Sequence, residues 1–135
     1  MRNGKNQKKT QKPASAACRG HIWVDGNEGT FIGYGRVALL EKILECGSIT
    51  QAAKLLKISY RHAWELIDSM NRQAQKPFIE TVTGGKGGGG TRLTKEGKLA
   101  IEFFWQFHRK FQDFLEHENE AIVAAFMNKK KERRT

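Results

Sequence analysis

The sequence lacks the features that mark several classes of protein. It has two cysteines, Cys18 and Cys46, too few for a disulfide scaffold and at a spacing that matches no zinc or redox motif. Cys18 and His21 form a C-x-x-H pair with no second pair nearby, so we expect no metal. No window approaches the roughly 20 apolar residues of a membrane span, and the basic N-terminus lacks the apolar run of a signal peptide.

Catalytic patterns are missing as well. No Ser-His-Asp set, carboxylate pair or His-rich cluster stands at catalytic spacing, and the four histidines are scattered. The glycine run 84–90 suggests a phosphate-binding P-loop, but Gly87 follows Lys86 where that motif needs Ser or Thr, and no helix follows. We therefore expect neither an enzyme nor a cofactor.

The positive charge is unevenly placed. The 135 residues, enough for one domain, carry a net charge of +10. Residues 1–20 hold six basic residues and no acidic one, residues 129–135 hold five basic and one acidic, and the segment between is neutral. Within it, residues 54–98 carry nine basic against four acidic residues. This distribution suits a polyanion that faces residues 54–98, with the tails adding loose phosphate contacts, although basic tails alone could serve only solubility.

The segment from Ser48 to Gln75 predicts two helices with a short break between them. Ser48 can cap the first helix, and Gln51 completes the spacing of a capping box. Ser59 can cap the second helix, whose inward stripe would consist of Ala63, Ile67 and Met70. Such a pair, with polar side chains on the outer N-terminal face of the second helix, is typical of a helix-turn-helix.

The flanking segments predict a wing and two more helices. Residues 36–46 have a helical apolar face that ends at Gly47. Residues 78–83 and 91–93 are strand-like and flank the glycine run, which predicts a hairpin. Residues 21–32 predict a strand, a turn and renewed apolar character.

A last helix is expected from Lys95 to Met127, capped by Thr94. It would be about 50 Å long, too long to lie entirely on so small a domain. We interpret its apolar seam as a dimerisation surface. The seam residues are Ala100, Phe104, Phe107, Phe111 and Phe114. The alternative is that Leu99, Phe103 and Trp105 pack on the domain's own core while the rest frays.

Together these elements predict a mainly α fold with a small β wing: a winged helix-turn-helix with a long C-terminal dimerisation helix. We expect a disordered basic tail over 1–18, the DNA-binding domain over 19–93, the dimerisation helix over 94–127 and a second basic tail over 128–135.

Several short motifs resemble the N-terminal DNA-binding domain of the ModE family, molybdate-responsive transcriptional regulators related to the LysR-type winged helix. The resemblance runs from about Arg19 to about Trp105. The motifs are Gly47-Ser48-Ile49, Ala52-Ala53, Ser59-Tyr60-Arg61-His62-Ala63-Trp64, Met70-Asn71, Thr83 with the glycine run, Leu93-Thr94 and Gly97. The resemblance implies a homodimer on palindromic double-stranded DNA, with the second helix of the pair in the major groove, the wing on the backbone or minor groove, and the last helix joining the subunits.

Two departures from the family pattern matter. We expect a stand-alone form, because the chain ends at Thr135 without the family's C-terminal oxyanion-binding domains, and therefore no molybdate binding. Lys86 is the only cation in the glycine run, which argues against tight oxyanion binding there too. Lys57 stands where the family usually has a turn glycine, so it either bears a left-handed backbone at a cost of up to about 1 kcal/mol or reaches a phosphate.

We predict the following roles in DNA binding. Ser59 directs the N–H groups of a helix N-terminus toward phosphate, and Arg61 is the candidate for a bidentate contact to guanine. Glu65 either accepts from a cytosine amine or pairs with Arg61, and Trp64 either packs on the core or contacts a thymine methyl. Lys86, Arg92 and Lys95 are predicted phosphate contacts. The complete set of predicted DNA-binding residues is Thr50, Lys57, Ser59, Tyr60, Arg61, Trp64, Glu65, Lys86, Arg92 and Lys95.

The sequence thus predicts a dimeric, sequence-specific transcriptional regulator that is cytoplasmic and associated with the nucleoid. The family resemblance implies that it controls molybdenum-related genes. The alternative is an architectural or adaptor protein that coats DNA through its tails with little sequence specificity.

Overall fold

A computed structural model describes residues 15–83 and 90–128 of the chain. They divide into two compact units. The larger unit comprises His21–Arg109, and the smaller one comprises residues 15–20 together with residues 110–128. The glycine loop 84–89, with Lys86, and most of both expected tails lie outside the described residues.

The elements follow the order expected of a winged helix-turn-helix, preceded by a short hairpin. They are β1 (Val24–Gly26), β2 (Gly29–Ile32), α1 (Tyr34–Cys46), α2 (Ile49–Leu56), α3 (Tyr60–Gln73), β3 (Ile79–Val82), β4 (Gly90–Leu93) and α4 (Lys95–Ile122), with a π-helical turn over Val123–Met127. The predicted fold class, mainly helical with a small antiparallel wing and a long last helix, is confirmed.

Local signals in the sequence account for most helix ends. Gly47 ends α1 in the left-handed conformation (φ 65°), and its N–H donates to the Ile43 carbonyl at 2.8 Å. Thr94 caps α4, since its Oγ1 accepts from the Gly97 N–H at 3.0 Å. Helix α1 begins two residues before the predicted Arg36, because Gly33 takes the N-cap position without a side-chain bond.

The core of the larger unit lies where the helices meet the two hairpins. It consists of Ile32, Val37, Leu39, Leu40, Ile43, Ile49, Ala52, Ala53, Ala63, Ile67, Met70, Phe78, Ile79, Leu93, Ala100 and Phe104. Small residues of α2 and α3, namely Ala52, Ala53 and Ala63, are buried in this core, which leaves room for close packing of the helices. The inward stripe predicted for α3 is confirmed.

Helix α4 docks on this core through a narrow stripe. Gly97, Ala100 and Phe104 are buried, and Phe104 has no exposed surface. The prediction that Phe104 lies on a dimerisation seam is therefore wrong. Its ring is enclosed by its own domain and meets the ring of Tyr34 edge-on at 5.0 Å, so it cannot contact another subunit.

The alternative expectation for α4 is also wrong in part. Leu99 and Phe103 do not bury themselves in the core but remain 55% and 53% exposed. Trp105 is half-buried against the core, and its Nε1 donates to Glu41 Oε2 at 2.8 Å. The helix thus has a buried aromatic residue, Phe104, directly beside an exposed one, Phe103.

The smaller unit contains the C-terminal part of α4. The rings of Phe111 and Phe114 stack with centroids 6.5 Å apart, and Phe114 is 57% exposed. The Cys18 N–H donates to Oδ1 of Asn119, so residues 15–18, predicted as part of a tail, join this unit. The predicted single helix to Met127 changes to π-helical geometry after Ile122.

Candidate nucleic-acid interface

The two helices of the helix-turn-helix begin at well-formed caps. Ser48 Oγ accepts from the Gln51 N–H at 3.0 Å, and Ser59 Oγ accepts from the His62 N–H at 3.0 Å. Each bond satisfies one of the N–H groups that a helix start leaves without a partner. Both serine caps predicted from the sequence are confirmed, and the start of α3 is held in place by its own first turn.

Lys57 makes the turn between α2 and α3. Its φ of 60° and ψ of 41° are left-handed, and its N–H donates to the Lys54 carbonyl at 3.1 Å. Among the residues that the structure describes, it is the only non-glycine residue with positive φ. The backbone strain expected where the family has glycine is therefore present, while the exposed side chain stays available for a phosphate.

The outer face of α3 presents polar side chains to solvent. Tyr60 is 54% exposed, and the Arg61 side chain is 85% exposed. Arg61 Nε lies 3.6 Å from Glu65 Oε2, which is the i,i+4 pair expected as one of two roles for Glu65. The stripe of Ala63, Ile67 and Met70 faces the opposite way, into the core. A capped helix with an exposed arginine near its N-terminus suits insertion into the major groove.

Trp64 lies between the core and this outer face. It is half-buried and packs against the core, which agrees with the first of the two roles expected for it. Its ring also meets that of Tyr60 edge-on, with centroids 6.4 Å apart. The two rings form one wall of a cleft of about 390 Å³ that the start of α2 and the wing complete. Thr50 lies in the same cleft.

The wing has two chemically different faces. The register pairs Thr81 with Thr91 and Glu80 with Arg92, and neighbouring pairs point to opposite sides of a hairpin. Thr81 and Thr91 line the cleft beside α3, so a hydroxyl-bearing face adjoins the recognition helix. The charged pair is on the other face, together with Lys76 and Lys95.

Arg92 is not a free cation on that second face. Its Nη2 and Nε donate to Glu80 Oε2 at 2.8 and 3.2 Å. A phosphate would have to share the guanidinium with this carboxylate, which weakens the predicted role of Arg92. Lys95 is exposed at the start of α4 and has no ion-pair partner among the described residues. Lys86 falls in the loop outside the described residues.

Asn71 positions the wing relative to α3, a role that the sequence did not predict. Its Oδ1 accepts from the N–H groups of Phe78 (2.9 Å) and Ile79 (3.3 Å), and its Nδ2 donates to the Ile79 carbonyl at 3.0 Å. One amide thereby joins the last turns of α3 to the start of the wing. The signal in the sequence was a polar residue directly after the buried Met70, near the end of a helix.

A second link holds the other strand of the wing. The Thr91 N–H donates to the Gly47 carbonyl at 3.3 Å, which ties β4 to the turn before α2. The wing is therefore bonded both to the end of α3 and to the start of the helix-turn-helix.

Arg36 is a partly buried cation that bonds two helices of the domain to each other. Its Nη1 donates to Ser69 Oγ at 2.9 Å, and desolvation by burial lowers the pKa of its guanidinium. Arginine stays protonated at neutral pH, so this group joins α1 to α3 as a charged donor.

Residues 15–83 and 90–128 contain no group of three or more His, Cys, Asp or Glu side chains placed to hold a metal ion. In the same ranges no helix is long and apolar enough to cross a membrane.

Comparison with known proteins agrees with this geometry. Residues 35–98 match the model of the bacterial regulatory helix-turn-helix proteins of the lysR family. The transcriptional regulator ModE of Haemophilus influenzae is 44% identical over 77 residues, which are 57% of this chain and 30% of that protein. The molybdenum transport protein ModE of Azotobacter vinelandii is 37% identical over 99 residues, 73% of this chain and 37% of that protein. The chain thus spans about a third of the length of these relatives.

A solved structure with a lower similarity is that of Streptococcus pneumoniae FabT in complex with DNA. It is 18% identical, with a TM-score of 0.46 over 69% of this chain and 66% of that one.

Residues 35–98 therefore form a regulatory helix-turn-helix domain of the LysR type. The ModE relatives are similar to this domain and the residues around it, and the resemblance predicted from the sequence is confirmed.

Proposed function

We propose that this protein is a sequence-specific DNA-binding transcriptional regulator of the LysR/ModE type. The observation that carries the proposal is the start of α3, where a serine cap orients a helix whose exposed outer face bears Tyr60, Arg61 and Glu65. The Haemophilus influenzae relative is named a transcriptional regulator, and residues 54–98 form the basic part of the chain between its tails. In such a protein Arg61 reads a guanine edge in the major groove.

The remaining polar residues act on the DNA backbone. Ser59 directs free N–H groups of the α3 start to one phosphate, and Lys57 and Lys95 are exposed cations that reach others. Thr50 lines the cleft between the wing and α3, where a sugar-phosphate segment fits beside Tyr60 and Trp64. These contacts orient the domain, whereas Arg61 supplies the sequence preference.

The regulator acts as a homodimer on a palindromic operator. Support comes from the apolar side chains that α4 leaves exposed: Leu99 and Phe103 in the larger unit, and Phe114 in the smaller one. Phe107 and Phe111 are half-buried and remain candidates for the interface, whereas Phe104 is excluded by its burial. An exposed aromatic surface of this kind usually marks an interaction site.

The similarity to ModE supports a role in molybdenum-related gene control, with the protein in the cytoplasm on the nucleoid. We assign no molybdate site to this chain, because Lys86 is the only cation in the glycine loop.

The test begins with selection of bound sequences from random DNA at a fixed salt concentration. A dimeric regulator selects an inverted repeat with half-sites about one helical turn or a multiple of it apart. Arg61→Ala should reduce the preference for guanine at one position of each half-site by about 5- to 150-fold, the value of a bidentate contact. A probe with one half-site should bind far more weakly than the full repeat.

The alternative function, an architectural or adaptor protein, is favoured by the basic tails. It predicts equal affinity for selected and random DNA, so the ratio of those affinities in the same experiment distinguishes the two functions.

A further inference from the structure

The three arginines in ion pairs of the larger unit are held in two different ways. Arg72 reaches Glu28 Oε1 through both Nε and Nη2, each at 3.0 Å. Arg92 reaches Glu80 Oε2 through Nε and Nη2 as well. Both guanidinium groups are engaged along one side. Arg61 differs, because its pair with Glu65 is made through Nε at 3.6 Å.

This difference decides what each arginine can still bind. A guanidinium has five N–H donors, one on Nε and two on each terminal nitrogen. Among the described residues the Arg61 side chain makes no hydrogen bond, and Nε, at 3.6 Å, is the nitrogen that pairs with the Glu65 carboxylate. The terminal fork, which matches the O6 and N7 acceptors of guanine, is therefore free of hydrogen bonds within the described residues, while the inner nitrogen lies nearest the carboxylate.

The carboxylate of Glu65 lies near two side chains of the first turn of α3. Oε2 lies 3.6 Å from Arg61 Nε, and Oε1 lies 3.5 Å from Nδ1 of His62. The backbone N–H of His62 donates to the Ser59 cap, so both partners of Glu65 stand on the fixed first turn of α3. These contacts favour the rotamers of Glu65 and Arg61 that bring the carboxylate toward Nε, although the Arg61 side chain is 85% exposed.

We propose that Glu65 is a positioning residue that sets base specificity: it holds Arg61 by Nε so that the terminal nitrogens approach guanine end-on. The inference rests on the proposed function, since it assumes that α3 reads DNA. It resolves the choice left open for Glu65 in favour of the pair with Arg61 over an acceptor for a cytosine amine. Glu65 contributes to discrimination without touching a base.

The readout must separate positioning from simple charge. Removal of any carboxylate near DNA raises affinity for all sequences, because it removes repulsion from phosphates. The measured quantity is therefore the affinity ratio between guanine and the three other bases at the position read by Arg61, determined by competition in one tube. Asp68→Asn is the matched control, since Asp68 is an exposed acid on α3 with no ion-pair partner among the described residues.

We expect Glu65→Ala to lower the guanine ratio about twofold, the scale of an i,i+4 pair, while total affinity rises. Glu65→Gln keeps the length of the side chain but removes its charge, and should lower the ratio as Glu65→Ala does, because the contact at 3.6 Å is an ion pair and not a hydrogen bond. Asp68→Asn should raise affinity and leave the ratio unchanged. In an Arg61→Ala background, Glu65→Ala should have no further effect on the ratio, because its action passes through Arg61.

Two results would overturn the inference while leaving the proposed function intact: an unchanged guanine ratio in Glu65→Ala, or an equal loss in both Arg61 backgrounds. If Glu65→Ala instead alters preference at a cytosine position, Glu65 contacts a base directly and the positioning role is wrong. If the wild-type protein shows no base preference anywhere, the proposed function itself fails.

Discussion

Lys57 adopts a left-handed backbone conformation that glycine adopts more easily than lysine. Its left-handed φ of 60° lets α2 end and α3 begin within three residues, but a side chain in this conformation is strained. We expect Lys57→Gly to raise the free energy of unfolding by up to about 1 kcal/mol, because glycine adopts positive φ without that strain. Chemical denaturation of the two proteins measures the difference.

Lys54→Gly is the control for this substitution. Lys54 lies inside α2, where glycine should lower stability by about 1 kcal/mol. If Lys57→Gly also weakens binding to every DNA sequence, and lowers the salt slope by about 0.9, then Lys57 contacts one phosphate. A fall in stability would show that the strain at Lys57 is offset by contacts of its side chain.

At the scale of single residues, the sequence predicted most of what is local. The serine caps and the glycine that ends α1 each depend on neighbours within four positions, so motif spacing is sufficient to find them. The left-handed turn at Lys57 was one of two alternatives that the family resemblance implied. The bonds of Asn71 and the pairing of Arg92 with Glu80 escaped prediction. They depend on the register between segments that are seven or more residues apart, which no local pattern determines.

Helix α4 shows the limit of periodicity at the scale of an element. Its aromatic residues occupy several sides of the helix, so spacing alone could not tell the buried side from the exposed one. The structure buries the side that contains Gly97, because the helix backbone there approaches the Phe78 carbonyl, directly before β3, and the Leu93 side chain of β4. Ala100 and Phe104 follow Gly97 at helical spacing and become core, which leaves Phe103 outside.

This explanation predicts that Gly97→Ala is destabilising. A Cβ atom there would lie 2.5 Å from the Phe78 carbonyl oxygen and 2.7 Å from Leu93 Cδ1, so α4 would have to move away from the core. We expect a loss of about 1–3 kcal/mol, the usual cost of overpacking. The midpoint of urea denaturation measures it, provided that the denaturant slope is unchanged.

Gly35→Ala provides the comparison. Gly35 lies in the first turn of α1, and a Cβ there would meet no atom within 4 Å. The substitution should be neutral or stabilising by less than about 1 kcal/mol, because alanine favours helix. Equal effects of the two substitutions would mean that close approach at Gly97 does not determine which side of α4 is buried.

At the scale of the whole molecule, charge separates affinity from specificity. The basic excess of residues 1–20 lies outside the helix-turn-helix, so we expect it to contact phosphates, which carry no base information. Removal of residues 1–18 should weaken binding to selected and random DNA alike. The slope of log affinity against log salt should fall by about 0.9 for each basic residue that contacts a phosphate. Titrations at several salt concentrations measure both quantities.

The ratio of selected to random affinity is the internal control for this truncation. It should stay constant, because the recognition helix is intact. A ratio that changes with the truncation would mean that the N-terminal segment reads sequence, and an unchanged slope would mean that it does not contact DNA.

The bonds of Asn71 have a mechanical consequence for the domain. One amide joins the end of α3 to both β3 and the residue before it. If α3 binds in a groove of DNA as proposed, a tilt of the helix should therefore move the wing with it. The helix and the wing would then respond as one unit to the width and bend of the DNA. A base substitution under α3 that shifts the helix would thereby change the contacts between the wing and phosphates several base pairs away.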